Sequence, residues 1–134
     1  MGTQQLLLIV LGVIIVGIAV VLGIGFAGSS MQQANADAVL EDCLRLANGA
    51  QIWYGKPTML GGGGNSFIGL TITKAGWQQT TNENGSFTIS DVSTGAARIT
   101  GIGNQNVIVT LRVYSDSVSS PRVIKLDDAV IESN

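Results

Sequence analysis

Few residues in this sequence have the chemistry of a nucleophile, a general base or a metal ligand, and their spacing matches no catalytic template. The 134-residue chain has no histidine and a single cysteine, Cys43. Without imidazole it lacks the commonest general base and the commonest metal ligand. One thiol makes no internal disulfide, no CxxC redox pair and no haem attachment, so Cys43 reads as a small core residue. The densest charge cluster is Asp37, Glu41, Asp42 and Arg45, with Glu41 and Arg45 at the i,i+4 spacing of a solvated helix face. Asp116, Asp127 and Asp128 offer carboxylate oxygens, but their spacing fits no calcium loop, so they read as surface carboxylates. Lys56, Lys74 and Lys125 supply amines for a Ser–Lys nucleophile pair, and nothing marks any such pair. The glycines Gly61 to Gly64 precede no Lys-Ser/Thr step and open no helix, so they read as a flexible connection and not as a phosphate loop. Asn84-Gly85-Ser86 matches the acceptor sequon for N-glycosylation and is equally a turn sequence; both readings stand at this point. With a net charge of −2 and 12% charged residues, there is no basic field for nucleic acid. The expectation is a non-enzymatic protein with no cofactor, no metal and no nucleic-acid partner.

What such residues would be mounted on is clearer. From Leu6 to Ala27 every position is apolar or glycine, with no charge, amide or hydroxyl. As a helix this run is about 33 Å long, matching the ~30 Å hydrocarbon core of a bilayer. Its large side chains are Leu6, Leu7, Leu8, Ile9, Val10, Leu11, Val13, Ile14, Ile15, Val16, Ile18, Val20, Val21, Leu22, Ile24 and Phe26. No Lys or Arg precedes the run, and the first positive side chain is Arg45. A signal anchor normally carries a basic flank, so either a basic leader is removed before Met1 or insertion uses another cue. The run is too long for a cleavable secretory signal and is expected to stay with the mature protein.

Beyond Gly28-Ser29-Ser30 the pattern turns amphipathic. At 100° per residue Val39, Cys43, Leu46, Ala47, Ala50 and Trp53 form one stripe, and Asp37, Glu41, Arg45 and Asn48 lie opposite. Leu44 and Ile52 also fall on the polar side, so Glu41, Leu44, Arg45 and Ile52 form a candidate intersubunit face. No proline separates the two halves, which predicts one rod of some fifty residues with Gly23, Gly25 and Gly28 as places where it can loosen, ending near Gly55 before Pro57. The expected organisation is an apolar helix over 1–28, an amphipathic helix over 29–54 and a β-sheet head over 55–134. In the head, alternating Ile68, Leu70 and Ile72 suggest a strand. Trp77 to Thr81 and Phe87 to Ile89 suggest a hairpin about Asn84-Gly85; Arg98–Ile102, Val107–Tyr114 and Arg122–Leu126 follow. The fold class is α+β: a long N-terminal helix covering the apolar face of an antiparallel meander of four or five strands.

An apolar helix that begins almost at residue 1 and runs into an amphipathic half packed on a small antiparallel sheet resembles the type IV pilins, pseudopilins and archaeal pilins. The resemblance covers the architecture of the whole chain, and its short motif is the start, Met1-Gly2-Thr3-Gln4-Gln5-Leu6. It implies removal of a leader by a prepilin peptidase, methylation of Met1, and a part for Gln4 and Gln5 in assembly. Gln5 stands where bacterial members carry glutamate. The apolar half has no proline, and paired cysteines near the C-terminus are absent. The implied function is a structural subunit of an extracellular fimbrial filament, of the kind that serves cell adhesion. Such a subunit is held in the membrane before the pilus assembly machinery adds it to a helical homopolymer. The alternative is a single-pass, membrane-anchored minor pseudopilin or binding module with a small extracytoplasmic head.

Overall fold

The computed structural model describes residues 2–125. Met1, Asp127, Asp128 and the last residue of the expected final strand, Leu126, lie outside the described residues. Helix α1 runs from Gly2 to Gly55 without interruption, a rod about 80 Å long. Gly23, Gly25 and Gly28 stay helical, with nothing near the place where a side chain would be. Each glycine weakens a helix by about 1 kcal/mol against alanine. The helix in this single subunit nevertheless passes through all three without a break.

The sheet contains β1 (Gly85–Ser90), β2 (Ala96–Gly103), β3 (Val107–Tyr114) and β4 (Arg122–Lys125), in spatial order β1-β2-β3-β4 with every pair antiparallel. Strand β3 forms because Val107, Val109, Leu111 and Val113 alternate with Thr110, Arg112 and Tyr114; the first set is buried against the helix. The tight turn before β3 has Asn106 at φ 60°, a left-handed conformation that asparagine tolerates better than most side chains. On the helix, Val39, Cys43, Leu46, Ala47, Ala50 and Trp53 are buried, as the 100° periodicity predicts, and Ala36 extends the stripe by a turn. The two layers meet closely at Gly101 and Gly103 of β2, where a Cβ at Gly103 would strike Asn35 Oδ1. A Cβ at Gly101 would lie 2.6 Å from Cγ1 of Val39, 2.9 Å from Sγ of Cys43 and 2.9 Å from the Phe87 ring. The helix therefore rests on the bare backbone of β2, and Phe87, paired across from Gly101, closes over the gap.

Two expected strands do not form. Ile68, Leu70 and Ile72 lie in a run of turns: Gly69 has φ 91°, Leu70 N–H bonds back to the Phe67 carbonyl, and Ala75 N–H to that of Thr71. Phe67 and Leu70 are buried and Ile68 is exposed, a three-residue spacing that matches turns and not a strand. Trp77 to Thr81 supplies only a stub of the expected hairpin. One bridge joins Thr81 to Ser86, Phe87 N–H donates to the Thr80 carbonyl, and the Trp77 ring meets Phe87 edge-on at 5.1 Å. The turn itself is where expected, with Asn82 Oδ1 accepting from the backbone N–H of Asn84 and Gly85.

The glycine run is a folded cap instead of a flexible connection. A helix C-terminus leaves its last four carbonyls without intrahelical partners. Gly63 N–H donates to Trp53 O at 2.8 Å, Asn65 N–H to Tyr54 O at 2.8 Å, and Gly64 N–H to Lys56 O at 2.9 Å. Trp53 Nε1 returns a bond to the Gly61 carbonyl at 3.0 Å. The glycines are needed for different reasons: a Cβ on Gly63 would strike Ser66 O and lie 2.6 Å from the Trp53 ring, one on Gly62 would strike Lys56, and Gly61 and Gly64 have φ of 87° and 60°.

Candidate functional site

The largest chemically distinctive surface is the first half of α1. All sixteen large apolar side chains from Leu6 to Phe26 are exposed, each more than half so. Among the described residues no part of the head covers them, because the sheet begins to cover the helix only around Ala36. This helix is long and apolar enough to cross a membrane. At roughly 1.5–3 kcal/mol per fully buried side chain, leaving this surface in water is untenable, so it requires a bilayer, a partner or other copies of itself.

Where the bare half meets the head, a set of amides clamps the helix to the sheet. Asn35 Nδ2 donates to the Asn84 carbonyl at 3.0 Å, and its Oδ1 accepts the Gln105 N–H at 3.1 Å. Gln32 Nε2 reaches the Gln105 carbonyl at 3.2 Å. Asn104 N–H also donates to the Asn84 carbonyl, at 3.0 Å. Two turns further along α1, Asp42 accepts on Oδ2 from Asn82 Nδ2 at 2.9 Å and from Asn84 Nδ2 at 2.8 Å. Asp42 is buried, which corrects its reading as part of a solvated face. It sits at the margin of the apolar stripe, where only a hydrogen-bonded carboxylate is tolerated. Asn84 is half-buried and its side-chain nitrogen is committed to Asp42. Of the two readings of Asn84-Gly85-Ser86, this geometry supports the turn.

The remaining charges of the cluster are where the periodicity puts them. Glu41 and Arg45 pair at 2.9 Å with both side chains about two-thirds exposed, an arrangement that contributes little to stability. Leu44 and Ile52 stand exposed beside them, at 43% and 64%, so the four residues of the candidate intersubunit face do share one outward side. Cys43 has no solvent access. Burial, reinforced by the neighbouring Asp42 charge, pushes its thiol up to about 12. That is the signature of an inert thiol. Lys74 is drawn to the Trp53 ring, 5.5 Å from its centroid, and donates to the Gly69 carbonyl. Asp116 is exposed. Among the described residues no three His, Cys, Asp or Glu side chains gather as a metal site.

The amide clamp is the part of the site that the sequence did not reveal. Its one local signal is Asn82-x-Asn84, two side chains on one side of a turn, and the residue they serve is some forty positions earlier. No family model matches this chain, and no curated protein or solved structure matches it either.

Proposed function

We propose that this chain is a pilin-like structural subunit that polymerises through the apolar half of α1 into an extracellular helical filament, after being held in a membrane by the same segment. The observation that carries the reading is the contrast along one unbroken helix. From Ala36 onward it is the core of a compact head, and before Met31 it is a bare apolar rod. A bilayer and a bundle of copies are both apolar hosts for such a rod. Passage from one to the other leaves the head outside and conserves burial. The amide clamp supports the same reading, because a rod used as a shared core must leave every head at one fixed angle. No catalytic, metal or cofactor role is assigned, and the partners are further copies of the chain and the machinery that adds them.

Negative-stain microscopy of material sheared from cells, with mass spectrometry of the purified fibres, tests the proposal. Fibres composed of this chain are expected. Recovery of the chain only from membranes, with no fibre, would instead favour a membrane-anchored head that binds a partner. The same spectra report whether Met1 is the native N-terminus and whether it is methylated.

A further inference from the structure

The register of the sheet brings together side chains that lie far apart in sequence. Pairing sets Arg98 of β2 directly opposite Arg112 of β3, and in the adjacent row it sets Thr100 opposite Thr110 and Thr110 opposite Arg122 of β4. Their neighbours Ile99, Val109 and Leu111 are buried against the helix, so both rows lie on the face of the sheet turned away from α1. Three of the chain's four arginines thus share one surface of a protein whose net charge is −2, and neither row holds a carboxylate. Arg98 pairs with Asp91 at 2.8 Å, both side chains being about half exposed. Arg112 and Arg122 are exposed, and their guanidinium groups make no hydrogen bond or ion pair among the described residues. Like charges directly opposite on a sheet destabilise it, so the isolated head carries a cost that a bound anion would remove.

We propose that this face docks an acidic polysaccharide, a linear polymer that bears carboxylates or sulfates along its length with hydroxyls between them. Guanidinium forks match such oxyanions in two-bonded geometry. Thr100 and Thr110, beside the arginines, supply neutral hydroxyls that both donate to and accept from sugar hydroxyls. Duplex DNA carries a charge every ~1.7 Å, and its binders neutralise roughly 6–10 phosphates. Three arginines on three strands, ~4.8 Å from one strand to the next, suit a sparser polyanion. The headgroups of a membrane holding the rod are out of reach. Gln51 donates to the Tyr114 carbonyl, which places the arginine rows toward the far end of the head. That is on the order of 30 Å along the helix from Phe26, well beyond a Debye length of ~10 Å. The surface belongs to the head alone and acts without polymerisation; in a fibre it recurs in every copy, and weak contacts add by multivalency.

The test presents the full-length chain, carried in nanodiscs of zwitterionic lipid at low salt, to immobilised polygalacturonate and dextran sulfate, with uncharged dextran, duplex DNA and anionic phospholipid vesicles alongside. Binding to an acidic polysaccharide and not to dextran is expected, weakening as salt rises. Arg112→Gln combined with Arg122→Gln is expected to weaken that binding about ten-fold or more with an unchanged circular dichroism spectrum, whereas Lys56→Gln combined with Lys74→Gln, the same loss of charge elsewhere on the head, shifts it by less than about two-fold. No binding to either acidic polymer, equal losses from the two double variants, or tighter binding to DNA or to the vesicles would overturn the assignment, and each would do so whether or not the chain forms fibres.

Discussion

Asn84 holds Asp42 from forty-two residues away, its side-chain amide donating to Oδ2 at 2.8 Å beside a second amide from Asn82 at 2.9 Å. The pair ties the helix to the turn that starts β1, nearly two turns inside the point where the sheet begins to cover α1. Hydrogen bonds to a charged group contribute roughly 1.5–3 kcal/mol each, and a half-buried amide left without its acceptor adds a penalty. Asp42→Ala is therefore expected to lower the stability of the head by about 2–4 kcal/mol, measured by urea unfolding. A change under about 0.5 kcal/mol would mean that the clamp is ornamental.

Cys43 gives the head an alkaline limit. The folded thiol titrates only at about 12, whereas an unfolded cysteine loses its proton near ~8.5. Below that lower value both states bind the proton and stability is unaffected. Above it the unfolded state binds fewer protons, so stability falls as pH rises, by up to about 1.4 kcal/mol per unit, until the folded thiol also ionises. Cys43→Ala removes this slope. Comparing the two proteins by urea unfolding at pH 8 and pH 10 isolates the thiol from lysines and tyrosines, and parallel pH dependences would refute the assignment.

Among the described residues every buried core residue lies between Ala36 and Val113, so the head is expected to fold without the bare rod. Residues 29–134 are expected to form a soluble, folded unit by circular dichroism. In the full chain Val16→Asp is expected to abolish fibres, because a carboxylate inside an apolar bundle is costly. An unfolded head fragment would show that the two halves of α1 are not separable.

The sequence disclosed those parts of the fold that have a period. The stripe from Val39 to Trp53 and the alternation in Val107–Tyr114 both repeat often enough to declare their element, and the structure reproduces them. Ile68, Leu70 and Ile72 alternate only three times, and Gly69 with φ 91° turns the chain between them. Their apolar character marks burial, not a strand. Asp42 was illegible for a different reason. It is next to Cys43 at the margin of the stripe, and what permits its burial is two amides distant in sequence. Four glycines signal freedom locally, while their use here is set by partners outside the run, the Trp53 indole at Gly63 and Lys56 at Gly62, and by the positive φ of Gly61 and Gly64. The bare rod was the most legible feature of all, since uniform apolarity needs no partner to be recognised.

Gln5 makes an unusual prediction about the fibre. In the filaments this chain resembles, a carboxylate at that place pairs with a neighbouring N-terminal amine. Gln5 offers a neutral acceptor, worth roughly half a charged one. If the chain polymerises as proposed, cohesion rests on apolar packing, so fibre mass is expected to be unchanged by high salt and between about pH 3 and 6, the range in which a glutamate of reference pKa ~4.3 would titrate. Pelleting after each treatment gives the answer, and dissolution on acidification would point to an intersubunit bridge through Asp37 or Glu41.

A helical reconstruction of the purified fibre decides whether the apolar half of α1 is the shared core. The expected map shows the segments from Leu6 to Phe26 packed against one another along the fibre axis, with the sheets outside and the Glu41, Leu44, Arg45 and Ile52 face turned toward a neighbour. A fibre held together by contacts between heads, with the apolar halves of α1 still in lipid or away from the axis, would contradict it.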